Sequence, residues 1–298
     1  MESTKKWNEV ILTRLIKLSG YSAIIFVLMI FYFLLREGLP TIGQVSFKNL
    51  ISIRWYPIEN YFGLLPLIGG SLLVTIGAAA FAIPIGVCTA IYIAEVSPRR
   101  MRDLLKPIVE VLGGIPSVVL GFLGILILAP YLRRLLYLPT GLTALAGSIL
   151  LSAVAIPTIV SVAEDALDAV PRSYRDAALA LGATQWQTIW RVTLPAARSG
   201  VLTAIMLGIG RVIGETMAVM MVTGNAAVLP SKWNSFFLPV RTMTATIAAE
   251  MGEVANNSTH YHVLFFIGLV LFVISLGINI AASAAVFKQH KRAERILS

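Results

Sequence analysis

Two ionisable side chains stand inside an apolar stretch of the sequence, IMLGIGRVIGETMAVMMVTGN. Arg211 and Glu215 are four residues apart, so one helix would place them on the same face, where they could pair. A charge at the bilayer centre costs about 2.5–3.5 kcal/mol on insertion scales, so both side chains should face a polar interior. A guanidinium group binds phosphate through two parallel hydrogen bonds. The stretch therefore predicts either an anion pathway or a structural ion pair that fixes helix packing.

The same pair of charges offers a physical route to anion selectivity. Arg211 would present a cation to a passing anion, and Glu215 would neutralise that cation at rest. Glu215 would repel a bare dianion, but it could accept a hydrogen bond from hydrogen phosphate, a bond that sulfate cannot donate. Thr216 follows directly and completes the predicted substrate pathway.

A membrane-embedded enzyme acting on lipid phosphates is the alternative from another functional class. It would use Arg211 and Glu215 as an anion clamp and an acid/base pair. The stretch carries no histidine, aspartate pair or metal cluster that would supply such chemistry. We therefore expect a transport protein rather than an enzyme.

The rest of the sequence places these charges in a membrane. Of 298 residues, 57% are hydrophobic and 13% are charged, which is too apolar for a soluble domain. The apolar runs are long and do not alternate, which indicates helices. We predict an all-α polytopic fold with six spans, at residues 18–35, 64–94, 108–130, 142–162, 201–222 and 263–287. Pro84 is expected to kink the second span without dividing it.

Basic residues set the predicted orientation. Residues 1–17, 95–107, 163–200 and 288–298 hold four Lys or Arg each, 16 of the 24 in the chain. This excess marks their side as cytoplasmic, with both termini there. The net charge of +9 is scattered through loops and thus favours a role in topology over nucleic-acid binding.

Few other side chains could hold a metal ion. Cys88 is the only cysteine, which excludes an intrachain disulfide and a thiolate metal cluster. His260, His262 and His290 have no metal-site partner nearby in the sequence, and we expect the first two to be solvated in a polar loop. No metal and no cofactor is predicted.

Glycine and proline interrupt the third span at residues 113–117, GGIPS. We expect a kink against a neighbouring helix, with a broken helix lining a pathway as the alternative. Other glycines predict close helix packing, namely Gly69, Gly70, Gly121, Gly124 and Gly147.

The longest polar interruption is residues 171–195, PRSYRDAALALGATQWQTIWRVTLP. Pro171 can open a helix that Gly182 ends. Thr184 and Gln187 have capping-box spacing and start a second helix, which Pro195 is expected to break. The sequence thus predicts an elbow of two short amphipathic helices, a device that a membrane protein needs only where something soluble docks.

The spacing of this elbow resembles the EAA loop of importer-type ABC transporter permeases, with Asp176 in place of the usual glutamate. In that family the loop is a coupling helix that sits in a cleft of the cytoplasmic ATPase. The resemblance implies a type I importer (MetI-like) fold. It also implies ATPase-coupling roles for Tyr174, Asp176, Ala177, Ala178, Gly182, Leu194 and Pro195. An ordinary interfacial amphipathic helix is the alternative.

The fifth span carries a narrower resemblance. GIGR at 208–211, GETMAV at 214–219 and GN at 224–225 are similar to the signature of PstC-type permeases of phosphate-specific ABC importers. Sister permeases of the PstA type tend to have Ala-Pro where this chain has Met217 and Ala218. The resemblance extends from Trp55 to Phe287. Among transport proteins, a permease for sulfate or molybdate is the alternative, and it is nearer to this resemblance than the membrane-embedded enzyme is.

That resemblance implies an assembly. The expected partners are a PstA-type permease, a dimer of PstB-type ATPase subunits, a PstS-type phosphate-binding protein outside, and membrane lipid. ATP would be hydrolysed on the partners, because this sequence has no G-x-x-x-x-G-K-[ST] loop. The predicted regions are an N-terminal tail (1–17), a first span with its outer loop (18–62), the permease domain (63–287) and a C-terminal tail (288–298).

Overall fold

A computed structural model describes residues 2–297, with side chains described for residues 12–281, 283 and 284. The side chain of His290 and the terminal residues 1 and 298 of the predicted tails lie outside that description. The α-helices are α1 (Glu2–Gly38), α2 (Pro40–Gln44), α3 (Phe47–Leu50), α4 (Leu65–Ile91), α5 (Arg99–Gly114), α6 (Ser117–Leu123), α7 (Ala129–Leu135), α8 (Ala144–Asp168), α9 (Arg172–Ala180), α10 (Gln185–Thr188), α11 (Leu194–Ala196), α12 (Arg198–Gly214), α13 (Met217–Val222), α14 (Met243–Glu250) and α15 (Thr259–Leu297).

Shorter elements connect these helices. An antiparallel hairpin pairs β1 (Trp55–Tyr56) with β2 (Tyr61–Phe62), and Trp55 lies opposite Phe62. Single π-helical turns occupy Tyr92–Val96, Gly124–Leu128 and Ile189–Thr193. Pro57–Glu59 and Trp233–Phe237 form 3₁₀ turns.

Five described segments are long and apolar enough to cross a membrane: Leu12–Gln44, Leu65–Val96, Ser117–Leu135, Ala144–Asp168 and Thr259–Ala281. A sixth is counted when Gln185–Ala196 and Arg198–Gly214, which meet at 72°, are taken as one bent span. The predicted helical membrane fold is thus confirmed. Helix α4 passes through Pro84 without a break, as expected.

Two of the predicted spans are broken rather than continuous. Helix α5 ends at Gly114, and Ile115 and Pro116 are extended before α6 begins. The expectation of a simple kink was wrong. Pro116 donates no hydrogen bond and disfavours the helical region for Ile115, and two residues of low helix propensity, Gly113 and Gly114, end α5 just before it. The span predicted at 201–222 is likewise divided, since α12 ends at Gly214 and Glu215 is extended.

The core is built around α8, which is the most enclosed span. Within its apolar window 61% of residues are buried, against 0–28% for the other four. Helices α4 and α12 approach the fully buried Ile159 of α8 through glycines. A Cβ atom would lie 2.8 Å from Ile159 Cγ2 at Gly86, and 2.5 Å from Ile159 Cγ1 at Gly208. This packing excludes any larger side chain at either position without a shift.

Gly121, Gly124 and Gly147 serve the predicted close helix packing, whereas Gly69 and Gly70 are approached closely by loop residues instead of another helix. A Cβ atom would lie 2.2 Å from the Arg241 carbonyl oxygen at Gly70, and 2.9 Å from Pro230 Cδ at Gly69. An added Cβ atom would also lie 2.7 Å from Met221 Sδ at Gly121, 2.6 Å from Val222 Cγ1 at Gly124 and 2.6 Å from Thr223 Cγ2 at Gly147. The two broken spans therefore pack closely, through α6 and α13.

The histidines of the loop before the last span are engaged rather than solvated. His260 lies 2.8 Å from a Glu250 carboxylate oxygen, and His262 is buried with Nδ1 2.8 Å from the Glu37 carbonyl oxygen. The expectation of solvated side chains was wrong because both residues begin α15, which packs on the end of α1. Glu250 also binds Arg241 at 2.7 Å and accepts from Trp55 Nε1 at 3.2 Å. Burial favours a raised pKa for Glu250, but the His260 hydrogen bond, the Arg241 charge and the Trp55 hydrogen bond outweigh it and lower that pKa.

A substitution at Gly208, which contacts Ile159, tests the packing of the core. We expect Gly208→Val to force overpacking that costs about 1–3 kcal/mol. Gly210→Val is the matched control, because a Cβ atom there would meet nothing within 4 Å. Thermal unfolding of the purified chain in detergent should show a lower midpoint for Gly208→Val alone. Equal midpoints for the two variants would contradict this account of the packing.

Candidate functional site

Arg211 joins three helices at the end of α12. Its Nη1 donates to Thr158 Oγ1 of α8 at 3.0 Å, and its Nη2 donates to the carbonyl oxygen of Gly113 in α5 at 3.2 Å. Gly208, which packs on Ile159, lies almost one helical turn earlier in α12. The side chain is exposed on the surface of the single chain. The cation is thus held in place by neutral groups.

The predicted ion pair between Arg211 and Glu215 is wrong for this structure. Among the residues that the structure describes, neither side chain contacts the other or forms an ion pair. The four-residue spacing assumes an unbroken helix, whereas α12 ends at Gly214 and Glu215 has φ −71° and ψ 130°. The break turns the carboxylate towards the start of α13. Arg211 therefore has no carboxylate partner in the described part of the chain.

Glu215 and its neighbours supply hydrogen bonds to the broken backbone. The Glu215 carboxylate accepts from the backbone N–H groups of Thr216 at 3.2 Å and Ala218 at 3.4 Å. Thr244 Oγ1 of α14 donates to the Glu215 carbonyl oxygen at 3.1 Å, and Thr216 Oγ1 donates to Gly214 O at 3.3 Å. Such partners are what allow a helix to break at membrane depth.

The two breaks lie next to each other in space. Gly113, whose carbonyl accepts from Arg211, stands two residues before the extended Ile115. Arg211 itself stands four residues before the extended Glu215. A cation and several backbone and hydroxyl groups are therefore gathered where two spans lose their helical hydrogen bonding. This polar region can offer an anion a guanidinium group and hydroxyl donors.

The elbow has the predicted two-helix form. Helix α9 ends before Gly182, which has φ +83°, a conformation that glycine adopts without strain. The Thr184 hydroxyl accepts from Gln187 N at 3.3 Å and the Gln187 side chain accepts from Thr184 N at 2.9 Å, so the capping box is present. One expectation was wrong, because the second helix continues through Pro195 to Ala196. The π-helical turn Ile189–Thr193 shifts the register just before the proline, and the 72° bend follows at Ala197.

The predicted coupling residues divide between a free face and a packed face. Exposed members are Tyr174, Asp176, Ala177, Gly182 and Pro195; Leu194 is half-buried and Ala178 is buried. The Asp176 side chain makes no hydrogen bond or ion pair with any other described residue. The elbow thus presents a carboxylate and a tyrosine outwards while Ala178 anchors it.

Sequence reasoning missed two exposed tryptophans on the elbow. Trp186 and Trp190 are 60% and 47% exposed, with their rings edge to face at 5.8 Å between centroids. Large exposed aromatic side chains on this polar elbow, which meets α12 at 72°, mark a candidate interaction surface. Their four-residue spacing in an amphipathic helix was the available signal.

Sequence reasoning also missed two ion clusters on the predicted cytoplasmic side. Arg175 of α9 pairs with Glu95, which is 80 residues away in the sequence. Glu164 of α8 is buried and pairs with Arg102 at 2.7 Å and with Lys106 at 2.8 Å. The hydrogen bond to Glu164 raises the pKa of Lys106, while burial opposes it. The sequence signal was weak, because single acids next to apolar runs are common.

Comparison with known proteins identifies the family. Residues 82–293 match the family described as "Binding-protein-dependent transport system inner membrane component". The chain is 42% identical over 235 residues to the probable ABC transporter permease protein YqgH of Bacillus subtilis, covering 78% of this chain and 75% of that protein. It is 34% identical over 258 residues to the phosphate transport system permease protein PstC of Mesorhizobium japonicum, covering 80% and 77%. It is 28% identical to PstC of Haemophilus influenzae over 97% and 98%.

Solved structures agree with this assignment at the level of fold. An inward-facing MetNI methionine ABC transporter aligns with a TM-score of 0.60 and 21% identity, covering 79% of this chain and 99% of that chain. A bacterial ABC transporter that imports alginate aligns with a TM-score of 0.57 and 17% identity, covering 93% and 98%. The fold is therefore that of MetI-like ABC transporter permeases, as predicted. The chain belongs to the family of binding-protein-dependent transport system inner membrane components.

Proposed function

We propose that this chain is the permease subunit through which an ABC importer moves inorganic phosphate across the cytoplasmic membrane of a prokaryote. The observation that carries the proposal is the Arg211 guanidinium, held by neutral partners where two broken spans meet. Relatives named as phosphate transport permeases, at 28–35% identity over most of the chain, support the choice of anion. The subunit itself is not an enzyme in this proposal, since ATP is hydrolysed on partner subunits.

Arg211 is the group that meets the anion in the pathway. Its hydrogen bonds go to a hydroxyl and a carbonyl oxygen, so an anion can replace them without leaving a carboxylate unpaired. The planar fork of guanidinium donors suits phosphate better than the point charge of a lysine would. Thr216 adds a hydroxyl beside the break, and Glu215 can accept a hydrogen bond from the protonated oxygen of hydrogen phosphate.

The elbow couples this pathway to ATP hydrolysis. Its free face carries Asp176, Tyr174 and the tryptophans Trp186 and Trp190, and this face docks in a cleft of the ATPase subunit. The elbow is continuous with α12 through the 72° bend, so its movement reaches Arg211 along one helix. The assembly consists of this chain, a PstA-type permease, two PstB-type ATPase subunits and a PstS-type binding protein. Both termini are on the cytoplasmic side.

Uptake by the reconstituted complex tests the proposed function. Proteoliposomes that contain the permease pair and ATPase, with binding protein outside and ATP inside, should accumulate labelled phosphate. An excess of unlabelled sulfate should leave the rate unchanged, whereas unlabelled phosphate should suppress it. Uptake of labelled sulfate or molybdate without uptake of phosphate would overturn the assignment of the anion.

Removing the charge of Arg211 tests the pathway. Arg211→Gln keeps a hydrogen-bonding side chain, although a shorter one, and loses the cation. We expect phosphate uptake to fall by about tenfold to 100-fold, the effect of losing a charged hydrogen bond worth about 1.5–3 kcal/mol. Arg198→Gln, at the opposite end of the same helix, is the control. An Arg211→Gln complex that transports at the wild-type rate would show that the pathway lies elsewhere.

Substitutions at Gly182 test whether the elbow couples ATP hydrolysis to transport. A Cβ atom at Gly182 would meet nothing within 4 Å, so only its positive φ restricts substitution. Valine is strained in that conformation by about 1–2 kcal/mol, whereas asparagine tolerates it. We expect Gly182→Val to lower phosphate uptake per ATP hydrolysed, and Gly182→Asn to preserve it. The same loss in both variants would mean that the turn geometry is not what coupling requires.

A further inference from the structure

Three parts of the chain meet at one ion pair on the predicted cytoplasmic side. Glu95 lies in the π-helical turn Tyr92–Val96 that follows α4, and Arg175 lies in α9, the first arm of the elbow. Nη2 of Arg175 lies 2.5 Å from Glu95 Oε1, and Nε donates to the two carboxylate oxygens at 3.1 and 3.2 Å. Two nitrogens of one guanidinium group thus grip one carboxylate, which fixes direction as well as distance.

The same guanidinium group also holds the end of α8. Nη1 donates to the Val170 carbonyl oxygen at 2.7 Å, and Nη2 donates to the Leu167 carbonyl oxygen at 2.9 Å. Carbonyl groups in the last turn of a helix lack helical partners and favour a nearby positive charge. The joint is enclosed, since the Glu95 side chain is 7% exposed and that of Arg175 is 19% exposed. One arginine therefore ties the elbow to two membrane-spanning helices.

The second arm of the elbow contacts the same residue. Gln185, the first residue of α10, donates from its side chain to the Glu95 carbonyl oxygen at 3.1 Å. Both arms thus hold Glu95, one by its carboxylate and the other by its backbone. Beneath them, Ile93, two residues before Glu95, and Ile189 of the second arm are fully buried in one apolar cluster. Apolar packing has no preferred direction, so the polar contacts are what fix the orientation of the elbow on α4.

Two neighbouring residues of α9 differ in exposure. Asp176 is exposed on the face that docks the ATPase in the proposed function, while Arg175 is turned inwards to Glu95. We propose that Arg175 is the positioning residue that transmits movement of the elbow to the second span, by gripping Glu95. This inference rests on the proposed function. The chain connects the elbow directly to α12 but not to α4. In this inference, the ion pair is what moves α4 together with the elbow.

The test measures coupling separately from assembly. The complete complex, with partner permease, ATPase and binding protein, is reconstituted with Arg175→Lys or Glu95→Gln. Lysine keeps the charge but cannot make the forked contact together with the two carbonyl bonds. The readouts are ATPase subunit copurified per permease, ATP hydrolysis stimulated by the phosphate-loaded binding protein, and phosphate transported per ATP.

We expect both variants to assemble and to hydrolyse ATP. Phosphate transported per ATP should fall by about tenfold, a usual size for coupling between distant sites. Arg102→Lys is the control, because it alters another ion cluster on this side, between α5 and α8, which does not include the elbow. Gln185→Ala, which removes only the contact of the second arm, should lower the ratio by a smaller factor.

Native phosphate-per-ATP ratios in Arg175→Lys and Glu95→Gln would overturn the inference. An equal fall in Arg102→Lys would also overturn it, since the ratio would then follow general loss of stability. If Arg175→Lys and Glu95→Gln fail to assemble, the phosphate-per-ATP ratio of Gln185→Ala is the test. A lowered ratio supports the inference, and a native ratio overturns it. A wild-type complex that hydrolyses ATP without moving phosphate would overturn the proposed function alone. The ratio would then be measured with the anion that the wild-type complex does carry.

Discussion

Close packing around Ile159 is the constraint on which the candidate pathway depends. Ile159 is fully buried in α8, and both α4 and α12 reach it through glycines, Gly86 and Gly208. Thr158 precedes it in the sequence, and Arg211 follows Gly208 by three residues. The same packing therefore sets the 3.0 Å hydrogen bond between the Thr158 hydroxyl and the Arg211 guanidinium. The cation is positioned by interlocking helices, and its own hydrogen bonds only complete that arrangement.

The helix breaks and the polar groups around them form one system. A backbone group left unpaired in hydrocarbon costs several kcal/mol, so a span can break only where other groups replace the lost helical hydrogen bonds. Arg211 donates to the Gly113 carbonyl, Thr244 donates to the Glu215 carbonyl, and the Glu215 carboxylate accepts from two backbone N–H groups. The groups that could meet an anion are thus the ones that make the breaks tolerable. In the proposed transport cycle, the anion accepts the Arg211 hydrogen bonds that the Thr158 hydroxyl and the Gly113 carbonyl accept in this structure.

Local sequence patterns predicted much of the architecture but not the contacts between distant residues. Long apolar runs, the capping box of Thr184 and Gln187, and the turn at Gly182 each depend on neighbouring residues, and the structure has all of them. The pairing of Arg211 with Glu215 failed because it assumed that the helix continued, and tertiary partners such as Thr244 stabilise a break instead. Arg175 and Glu95 are 80 residues apart, and no periodicity within one segment reports such a pair.

The central claim is that the Arg211 guanidinium contacts the transported anion. Solid-state NMR can measure it directly, through dipolar coupling between guanidinium nitrogen and phosphate phosphorus in the assembled complex with phosphate bound. We predict a short-range coupling in the wild-type complex that disappears in Arg211→Lys, because lysine has no guanidinium nitrogens. Bound phosphate whose coupling to arginine is absent, or is unchanged in Arg211→Lys, would contradict the account.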